Sequence, residues 1–489
     1  MSELSVVLLS FVPIFLIPLT FGALLPWQAD IRWPSRWWFG IISLGLVLTV
    51  AHALKTPKHV TPYLIALLLL PALIQTVRYF FWRRKNNRKH DGSFWRENWP
   101  AIIILLGLLG CAYLRILSYP IGPADWDTIA IWLRKTKLLY AWLPMGQPST
   151  EIWGGNYMNY PHLGPMLEAM VIRFGGSIRE NCGRLIFPTF YFFWMSAFYS
   201  LGHSKIKGVP AFLISFLTIL FFDSRSFTNG YQDGFAAVLA GMAAIHFCRI
   251  IPKSPVPDLA RDSTLATDYF LAFFFAGMLS FVKSEGAILA LVMGFSALAV
   301  LLVRQSRGRR FAWLLGLVPY LALFLLLLGL WPMLLLYNHA NLSHLQDQSF
   351  SAATFLNFFH NLNRGPLIGS YYLAHLKAIA PIVLSCGFLS ALAFIFCPSR
   401  RHILIFLWMI LLIHSVMIAG PYFVTGVNPA WHLQTSFERL MFQHFFVYPL
   451  VLYLAASFLA DTLFDRSGHS GTPETPLLPR RQKRDGSKG

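Results

Sequence analysis

Long apolar stretches recur along the whole chain of 489 residues and limit what it can fold into. A membrane-spanning helix needs about 20 consecutive apolar residues, and runs of roughly that length follow one another here. Hydrophobic residues make up 56% of the chain and charged residues only 12%, whereas soluble domains carry about 25% charged residues. The sequence therefore predicts an all-α integral membrane protein with about thirteen spans. The spans are expected near residues 5–25, 38–54, 62–82, 100–118, 182–201, 208–222, 231–250, 267–282, 286–303, 311–337, 378–397, 402–423 and 440–463.

Basic residues determine the expected orientation of these spans. The formal net charge is +19, and most basic tracts lie between apolar stretches. This pattern indicates the positive-inside rule and argues against nucleic acid as a partner. Counting spans puts every basic tract on the same side of the membrane, which is then the cytoplasmic side. The tracts are Arg83–Lys89, His203–Lys207, Arg249–Arg261, Arg304–Arg310, Ser399–His402 and Arg480–Arg484.

Three regions follow from this topology. Residues 1–90 form an N-terminal three-helix segment with a basic inner loop, and residues 91–463 form the main membrane domain. Residues 464–489 are a basic inner tail rich in proline, glycine and serine, which we predict to be disordered. The expected location is the plasma membrane, the inner membrane of a bacterium, with the N-terminus outside and the C-terminus cytoplasmic. The long outer segments are 119–180, 338–377 and 424–439.

Two acids, Asp125 and Asp127, lie in the first long outer segment just after a predicted span. A carboxylate at the membrane surface can act as a general base toward a lipid-carried substrate. Residues 127–143 are predicted to form an interfacial amphipathic helix. Asp125 could instead only cap this helix, and Asp127 could be a first-turn acid favoured by the helix dipole. The helix has one face formed by Ile129, Trp132, Leu133, Thr136, Tyr140 and Leu143, with Arg134, Lys135 and Lys137 off that face.

Other polar residues of the outer face are candidates for a substrate cavity or a phosphate site. Asp233 stands at the outer end of a span, where an acid is costly unless it is capped, paired or hydrated. Lys283 and Glu285 either form an internal ion pair or present a phosphate-binding lysine oriented by the glutamate. Arg364 and Arg439 either snorkel to the interface or bind a lipid phosphate. The remaining cavity candidates are Tyr160, His162, Tyr231 and His432.

Taken together, these motifs resemble the GT-C class of polytopic glycosyltransferases, in particular bacterial relatives of the lipid-phosphate-sugar-dependent mannosyltransferases. The resemblance covers about residues 100–460 and rests on the order of the motifs and their common side. The motifs are Trp126-Asp-Thr-Ile-Ala-Ile-Trp132 with Lys135-Thr-Lys137, Tyr160-Pro-His-Leu-Gly-Pro165, Gly230-Tyr-Gln-Asp233, Lys283-Ser-Glu-Gly286, and Trp431-His-Leu-Gln-Thr-Ser436 with Arg439.

The resemblance implies a GT-C-like fold and inverting transfer of a sugar from a polyprenyl-phosphate donor to an acceptor hydroxyl at the outer face. In such enzymes the first-loop acid is the base. Paired acids of the family are often adjacent, whereas Trp126 separates the two acids here, so the choice between them stays open. Asp127 is favoured because of its Trp-Asp-(x)3-Ile-Trp context. The charge of the phosphate leaving group would be held by Lys283, Arg364 or Arg439.

The expected partners are a polyprenyl-phosphate sugar, a glycan, lipid or protein acceptor, and membrane lipids. No cofactor is predicted with certainty: some members of the class bind a divalent metal ion, but this chain offers no convincing ligand set. The five cysteines have no paired spacing, which predicts neither a zinc site nor a disulfide framework. The sugar, the acceptor and the length of the lipid are not encoded in any motif of the chain.

Two other functional classes remain as alternatives. A transporter or lipid flippase would carry ionisable residues near span midpoints and an internal repeat. The sequence has few such charges and no repeat. A polymerase or ligase of lipid-linked glycans would depend on outer-loop arginines and histidines without a first-loop acid. Substituting each of the two acids separately distinguishes the last class from a glycosyltransferase.

Overall fold

Helices account for nearly all of the regular structure in a computed structural model of the chain. No strand occurs among the described residues, and eight of the described helices are long and apolar enough to cross a membrane. The chain is therefore an all-helical, multi-pass membrane protein. The residues that the structure describes are 9–25, 33–60, 63, 65–67, 69–71, 73–75, 77–78, 93–118, 128–143, 160–174, 180–199, 201, 232–253, 263–305, 308, 310–338, 357–426 and 428–468.

The described α-helices are numbered here in chain order. They are α1 (Ile17–Gly22), α2 (Trp33–Ala53), α3 (Ser93–Leu117), α4 (Arg134–Ala141), α5 (Leu163–Phe174), α6 (Glu180–Gly183), α7 (Ile186–Tyr199), α8 (Gln232–Ile250), α9 (Ser263–Val282), α10 (Gly286–Arg304), α11 (Arg310–Tyr337), α12 (Gly365–Phe396), α13 (Arg401–Val424), α14 (Pro429–Phe442) and α15 (Val447–Gly468). Two π-helical turns, Val12–Leu16 and Thr128–Leu133, lead into α1 and α4.

The eight candidate spans match the later part of the predicted topology best. They are α2, α8, α9, α10, α11, α12, α13 and the consecutive pair α14 and α15. Three predicted spans correspond to shorter apolar helices, and the span predicted near 182–201 corresponds to the 14-residue helix α7. The span predicted at 208–222 lies outside the described residues. The count of thirteen therefore stays a prediction.

Helices α8 and α9 form the centre of the bundle and are buried along almost their whole length. Small residues make this close packing possible, as they commonly do between membrane helices. For example, a Cβ on Gly241 would collide with the Trp194 indole nitrogen. Helices α11 and α12 lie at the periphery and leave most of their apolar side chains uncovered by protein. Lipid is the environment that such surfaces require.

Contacts at the helix ends agree with the two faces that the charge pattern predicts. On one face, the Asn338 side-chain nitrogen donates to the Ala53 carbonyl at 2.9 Å and the Trp142 indole donates to the Thr56 carbonyl at 2.8 Å. On the other face, Arg400 pairs with Asp461 at 2.7 Å. Each contact joins segments expected on the same side. We call the face with Ala53 and Asn338 the site face.

Two predicted outer segments contain more helix than expected. Helix α12 begins at Gly365, inside the segment predicted to extend to residue 377, and α14 occupies most of the segment 424–439. Both begin at proline-containing signals: Gly365-Pro366 opens α12, and the Asn428 side chain caps α14 by accepting from the Ala430 amide at 2.9 Å. Proline is favoured in a first helical turn because its missing N–H would be unpaired there.

The helix predicted over 127–143 is confirmed from Thr128 to Ala141, but its predicted faces are partly wrong. Trp132, Lys135 and Leu139 follow the spacing i, i+3 and i+7 of one helix face, and all three are buried. As a result Lys135 lies on the buried face, although it was predicted off that face, while Ile129 and Leu143 are exposed. Trp142 ends the helix in the left-handed conformation, with φ of 59°.

Candidate functional site

A buried ion pair on the site face forms the centre of the candidate site. The Lys283 Nζ donates to the Asp233 Oδ1 at 2.6 Å, and the Gln443 Nε2 donates to the same oxygen at 3.0 Å. Asp233 lies in the first turn of α8 and Lys283 directly follows the last residue of α9. An acid at a helix start and a cation at a helix end are both favoured by the helix dipole. The pair thus joins the ends of the two central helices to the α14–α15 connection.

The ion pair excludes one of the two sequence-based interpretations of the Lys283–Glu285 turn, the internal ion pair, and leaves the phosphate-binding lysine as a prediction. Lys283 forms its ion pair with Asp233, a residue distant in the sequence, and not with Glu285. The turn is tight, because a Cβ on Gly286 would collide with the Leu279 carbonyl oxygen. Glu285 stands at the start of α10, but its carboxylate does not cap that helix. It therefore has acceptor capacity left for another partner.

Helix α14 presents a row of polar side chains toward this centre. His432, Ser436, Arg439 and Gln443 follow the spacing i, i+4, i+7 and i+11, which places them on one face. We call this row the polar stripe. The neighbouring face of the helix is apolar and buried against α12 and α13. The amphipathic pattern orients α14 so that its polar stripe faces the Asp233–Lys283 pair.

Tyr422, at the end of α13, connects the polar stripe to the other charged residues. The Ser436 hydroxyl donates to the His432 carbonyl at 2.7 Å, so the Tyr422 hydroxyl donates to the Ser436 Oγ at 2.9 Å. The His432 and Tyr422 rings meet edge to face, with centroids 4.9 Å apart. Glu285 and Arg439 are both close enough to interact electrostatically with His432 and Tyr422.

Several polar atoms of this cluster are buried but have no hydrogen-bond partner among the described residues. They are the Glu285 Oε2, the His432 Nδ1 and the Gln443 Oε1. Leaving such an atom unsatisfied costs about 1–3 kcal/mol. Native proteins rarely concentrate these costs in one place without a ligand or water to offset them. The cluster is therefore the best candidate for a binding site in the described part of the chain.

Arg364 lies at the edge of the same cluster and has a structural role. Its Nη1 lies 3.0–3.3 Å from the carbonyl oxygens of Tyr422, Phe423 and Thr425, the last turn of α13. These carbonyls have no partner within their own helix, and a cation is favoured beside them. Arg364 thus holds the end of α13 next to Tyr422. Its role in binding a donor phosphate stays a prediction.

The segment that begins at Tyr160 packs directly against the start of α8. A Cβ on Gly164 would overlap the Gln232 side chain, and Gln232 immediately precedes Asp233. His162 is fully buried, with its ring 4.9 Å from that of Trp331. Two sequence-predicted cavity residues, Tyr160 and His162, therefore belong to the segment that adjoins the ion pair.

Lys135 connects the helix after the acidic loop to this segment. Its Nζ donates to the Tyr160 carbonyl at 2.6 Å and lies 5.7 and 5.6 Å from the ring centroids of Trp132 and Tyr160. The side chain is almost completely buried, and burial lowers the pKa of Lys135 well below its usual value. The aromatic rings compensate in part for the lost hydration of the ammonium group.

A second buried acid lies beneath the same helix. Glu168, on α5, is fully enclosed, and burial raises its pKa to about 7. The charge of Arg184 and a hydrogen bond from Thr136 oppose this shift. The Glu168 Oε1 has no hydrogen-bond partner among the described residues, which a protonated carboxyl tolerates better than a carboxylate.

The sequence predicted most of the residues that the structure brings together. Asp233, Lys283, Glu285, His432 and Arg439 form one cluster, and Tyr160 and His162 adjoin it. Asp125, Asp127 and Tyr231 lie outside the described residues. Within the described ranges, no group of three histidine, cysteine or acidic side chains is arranged to hold a metal ion.

Sequence reasoning missed Lys135, Glu168, Tyr422, Ser436 and Gln443. The spacing of 432, 436, 439 and 443 could have revealed Ser436 and Gln443 as members of one helical face. Lys135 shares a buried face with Trp132 and Leu139 at the spacing i, i+3 and i+7, but its charge placed it outside the predicted apolar face. Tyr422 joins the site only through the packing of α13 against α14.

Comparisons with known proteins add no match: no protein-family model, no curated protein and no solved structure matches this chain.

Proposed function

We propose that the protein is a GT-C-like glycosyltransferase that moves a sugar from a polyprenyl-phosphate donor to an acceptor hydroxyl at the outer membrane face. One observation carries the proposal: five polar residues from three separate motifs, including the Asp233–Lys283 pair, converge at one end of the helix bundle. In the proposed topology, these residues would present cations, carboxylates and an imidazole where a lipid-bound phosphate meets water.

The cluster has the charges that a phosphate leaving group needs. Lys283 uses one of its three N–H donors on Asp233, and Arg439 lies on the polar stripe beside it. Cations fixed at the position where charge develops stabilise the transition state of group transfer. The peripheral apolar surfaces of α11 and α12 are suited to the isoprenoid chain of the donor.

The acceptor hydroxyl needs a base, and we propose Asp127 for this role. Asp127 directly precedes Thr128, the first residue of the π-helical turn, and Lys135 of the following helix contacts the Tyr160 segment beside Asp233. A carboxylate within hydrogen-bond reach of the hydroxyl can accept its proton as the new bond forms. Inversion at the sugar carbon is the expected outcome, because no covalent enzyme intermediate is invoked. The cytoplasmic side of the membrane would then be the face with Arg400 and Asp461.

The test incubates purified full-length protein with a panel of polyprenyl-phosphate sugars. Donor turnover is measured by separating the lipid products from the remaining donor. We expect Asp127→Asn to lower donor turnover by about 100-fold or more, the usual contribution of general base catalysis. Asp125→Asn should retain most activity if Asp125 only caps the helix. The matched control is Glu438→Gln, which removes an exposed carboxylate of α14 outside the polar stripe. Unchanged transfer in both aspartate variants would contradict the base assignment.

One observation favours a transporter as the second candidate. His414 and His444 are both buried, and their Nδ1 atoms lie 2.8 Å apart within the membrane-spanning part of α13 and the α14–α15 connection. Ionisable side chains inside the membrane often mark ion or substrate pathways. Proteoliposomes loaded with a fluorescent polyprenyl-phosphate sugar separate the two functions. Movement of intact donor across the bilayer without turnover would favour transport.

A further inference from the structure

We infer that Glu285 and His432 bind hydroxyl groups of the donor's sugar and thereby help to select the sugar that the protein accepts. This inference rests on the proposed function, since it assigns a role within the same site. It starts from two buried atoms, the Glu285 Oε2 and the His432 Nδ1, that have no hydrogen-bond partner among the described residues.

Only one part of the lipid-phosphate sugar can form a hydrogen bond with the Glu285 Oε2. A carboxylate oxygen can only accept hydrogen bonds, so its ligand must donate one. A phosphodiester is anionic at neutral pH and offers only acceptors, so a carboxylate repels it. The isoprenoid chain has no polar group. The hydroxyl groups of the sugar are therefore the groups of this lipid that can donate a hydrogen bond to Glu285.

His432 complements the carboxylate, because its Nδ1 can either donate a hydrogen bond to a hydroxyl group or accept one from it. A hydroxyl group donates one hydrogen bond and accepts two, and the imidazole Nδ1 is a donor or an acceptor according to its tautomer. Tyr422 packs edge to face against the His432 ring and fixes its position. A sugar that presents neighbouring hydroxyls to Glu285 and His432 would satisfy both buried atoms at once.

The polar stripe predicts how the sugar phosphate is oriented within the site. His432 and Arg439 are separated by seven residues on one helix face, a rise of about 10 Å. The Arg439 end of the stripe adjoins Gln443, which bonds Asp233 beside Lys283. The cations therefore lie toward the inner end of the stripe and His432 toward its outer end. A sugar phosphate bound along the stripe would place its phosphate at Arg439 and its ring hydroxyls at His432 and Glu285.

Sites that bond a substrate hydroxyl discriminate strongly, because an analogue that lacks the hydroxyl leaves buried polar groups unpaired. A change at Glu285 should therefore affect the sugar-bearing donor and spare the lipid phosphate alone. This difference separates sugar recognition from phosphate binding and from a general loss of folding.

The experiment measures equilibrium binding of two kinds of lipid, with and without a sugar, to the purified full-length protein in detergent. The probes are polyprenyl-phosphate sugars (glucose, mannose, galactose and N-acetylglucosamine forms) and polyprenyl phosphate without sugar. We expect Glu285→Gln to weaken binding of the preferred sugar-bearing lipid by about 10- to 100-fold, the range for a hydrogen bond to a charged group. Binding of the sugar-free lipid should change by about twofold or less.

A second variant, His432→Phe, keeps an aromatic ring beside Tyr422 and removes both imidazole nitrogens. We expect it to weaken sugar-bearing lipid more than sugar-free lipid and to alter the order of preference among the four sugars. Glu438→Gln is the control on the same helix and should bind both lipids as the original protein does. Its side chain is exposed and lies off the polar stripe.

The outcomes separate this inference from the proposed function. If the original protein binds no sugar-bearing lipid, the glycosyltransferase proposal itself fails. If it binds sugar-bearing and sugar-free lipid equally, the assignment of Glu285 and His432 is overturned, because the sugar then contributes nothing to binding. If it prefers a sugar-bearing lipid and Glu285→Gln leaves that preference unchanged, only the assignment of Glu285 and His432 is overturned. An equal loss of both lipids in Glu285→Gln would also overturn it, because the carboxylate would then act on the lipid phosphate or on folding.

Discussion

Helix α8 carries a cluster of acidic and basic side chains near each of its ends, and the two clusters differ in how completely their hydrogen bonds are satisfied. At the end opposite the site face, the His246 Nδ1 donates to the Asp268 Oδ1 at 2.8 Å and its Nε2 meets the Ser35 Oγ at 3.1 Å. Arg249 lies 3.7 Å from the same carboxylate oxygen. None of these four side chains has a buried atom without a partner among the described residues. On the site face, three atoms around the Asp233–Lys283 pair remain unsatisfied.

The opposite cluster has the bonding order of a hydrolase triad, with a histidine between a serine and an aspartate. Yet Ser35 is 1% exposed and His246 is fully enclosed, so no substrate can reach the hydroxyl. The network is buried from solvent and none of its buried polar atoms lacks a partner among the described residues, which indicates a structural role. It connects α2, α8 and α9. Unsatisfied atoms therefore identify a binding site better than the presence of catalytic residue types does.

The largest effect is expected from Asp268→Ala in the closed network. Removing one member of a buried ion pair leaves an uncompensated charge and costs about 3–5 kcal/mol. We expect a marked fall in the thermal unfolding temperature in detergent, with the sugar preference of the remaining folded protein unchanged. A variant that changes sugar preference without loss of stability would break the distinction between the two clusters.

A double substitution tests whether the Asp233–Lys283 pair acts on donor turnover as well as on stability. Lys283→Met alone leaves Asp233 buried without its cation and should destabilise the protein by about 3 kcal/mol. Adding Asp233→Asn removes the isolated charge and should restore most of that stability. Donor turnover should stay low in the double variant, because the phosphate loses a cation. Recovery of turnover together with stability would make the Asp233–Lys283 pair a structural element like the closed network.

The sequence was sufficient to predict an all-helical, multi-pass membrane protein and several of the polar residues that the structure brings together, because apolar length and polar residues at span ends are local signals. It offered Glu285 as the ion-pair partner of Lys283, whereas the partner is Asp233, which comes from a helix about 50 residues earlier and meets Lys283 only through tertiary packing. It also misplaced Lys135, because a lysine is expected at a hydrated surface and only the packing of the Tyr160 segment encloses this one. Local patterns predict which residues lie at the surface of the bundle, and packing decides which of them meet.

The smallest change in stability is expected for Glu168. This residue tests whether a buried oxygen without a hydrogen-bond partner always indicates a binding site. Like Glu285, it has a buried carboxyl oxygen without a partner among the described residues, but burial raises the pKa of Glu168 from 4.5 to about 7. The folded protein therefore holds a proton that the unfolded chain releases between these two pH values. This stabilisation is fully present below pH 4.5 and is lost as the pH rises through 7, a change of about 3 kcal/mol at most.

Glu168→Gln mimics the protonated acid and should remove this pH dependence, so that the variant is more stable than the original protein at pH 8 and similar to it at pH 5. Thermal unfolding in detergent across this range measures the difference. Glu438→Gln, which alters an exposed acid, should keep the original pH dependence. Equal pH dependence in Glu168→Gln and the original protein would mean that Glu168 is ionised in the fold. Its unsatisfied oxygen would then require a ligand or water for the same reason as that of Glu285, and the binding site would extend beneath α4.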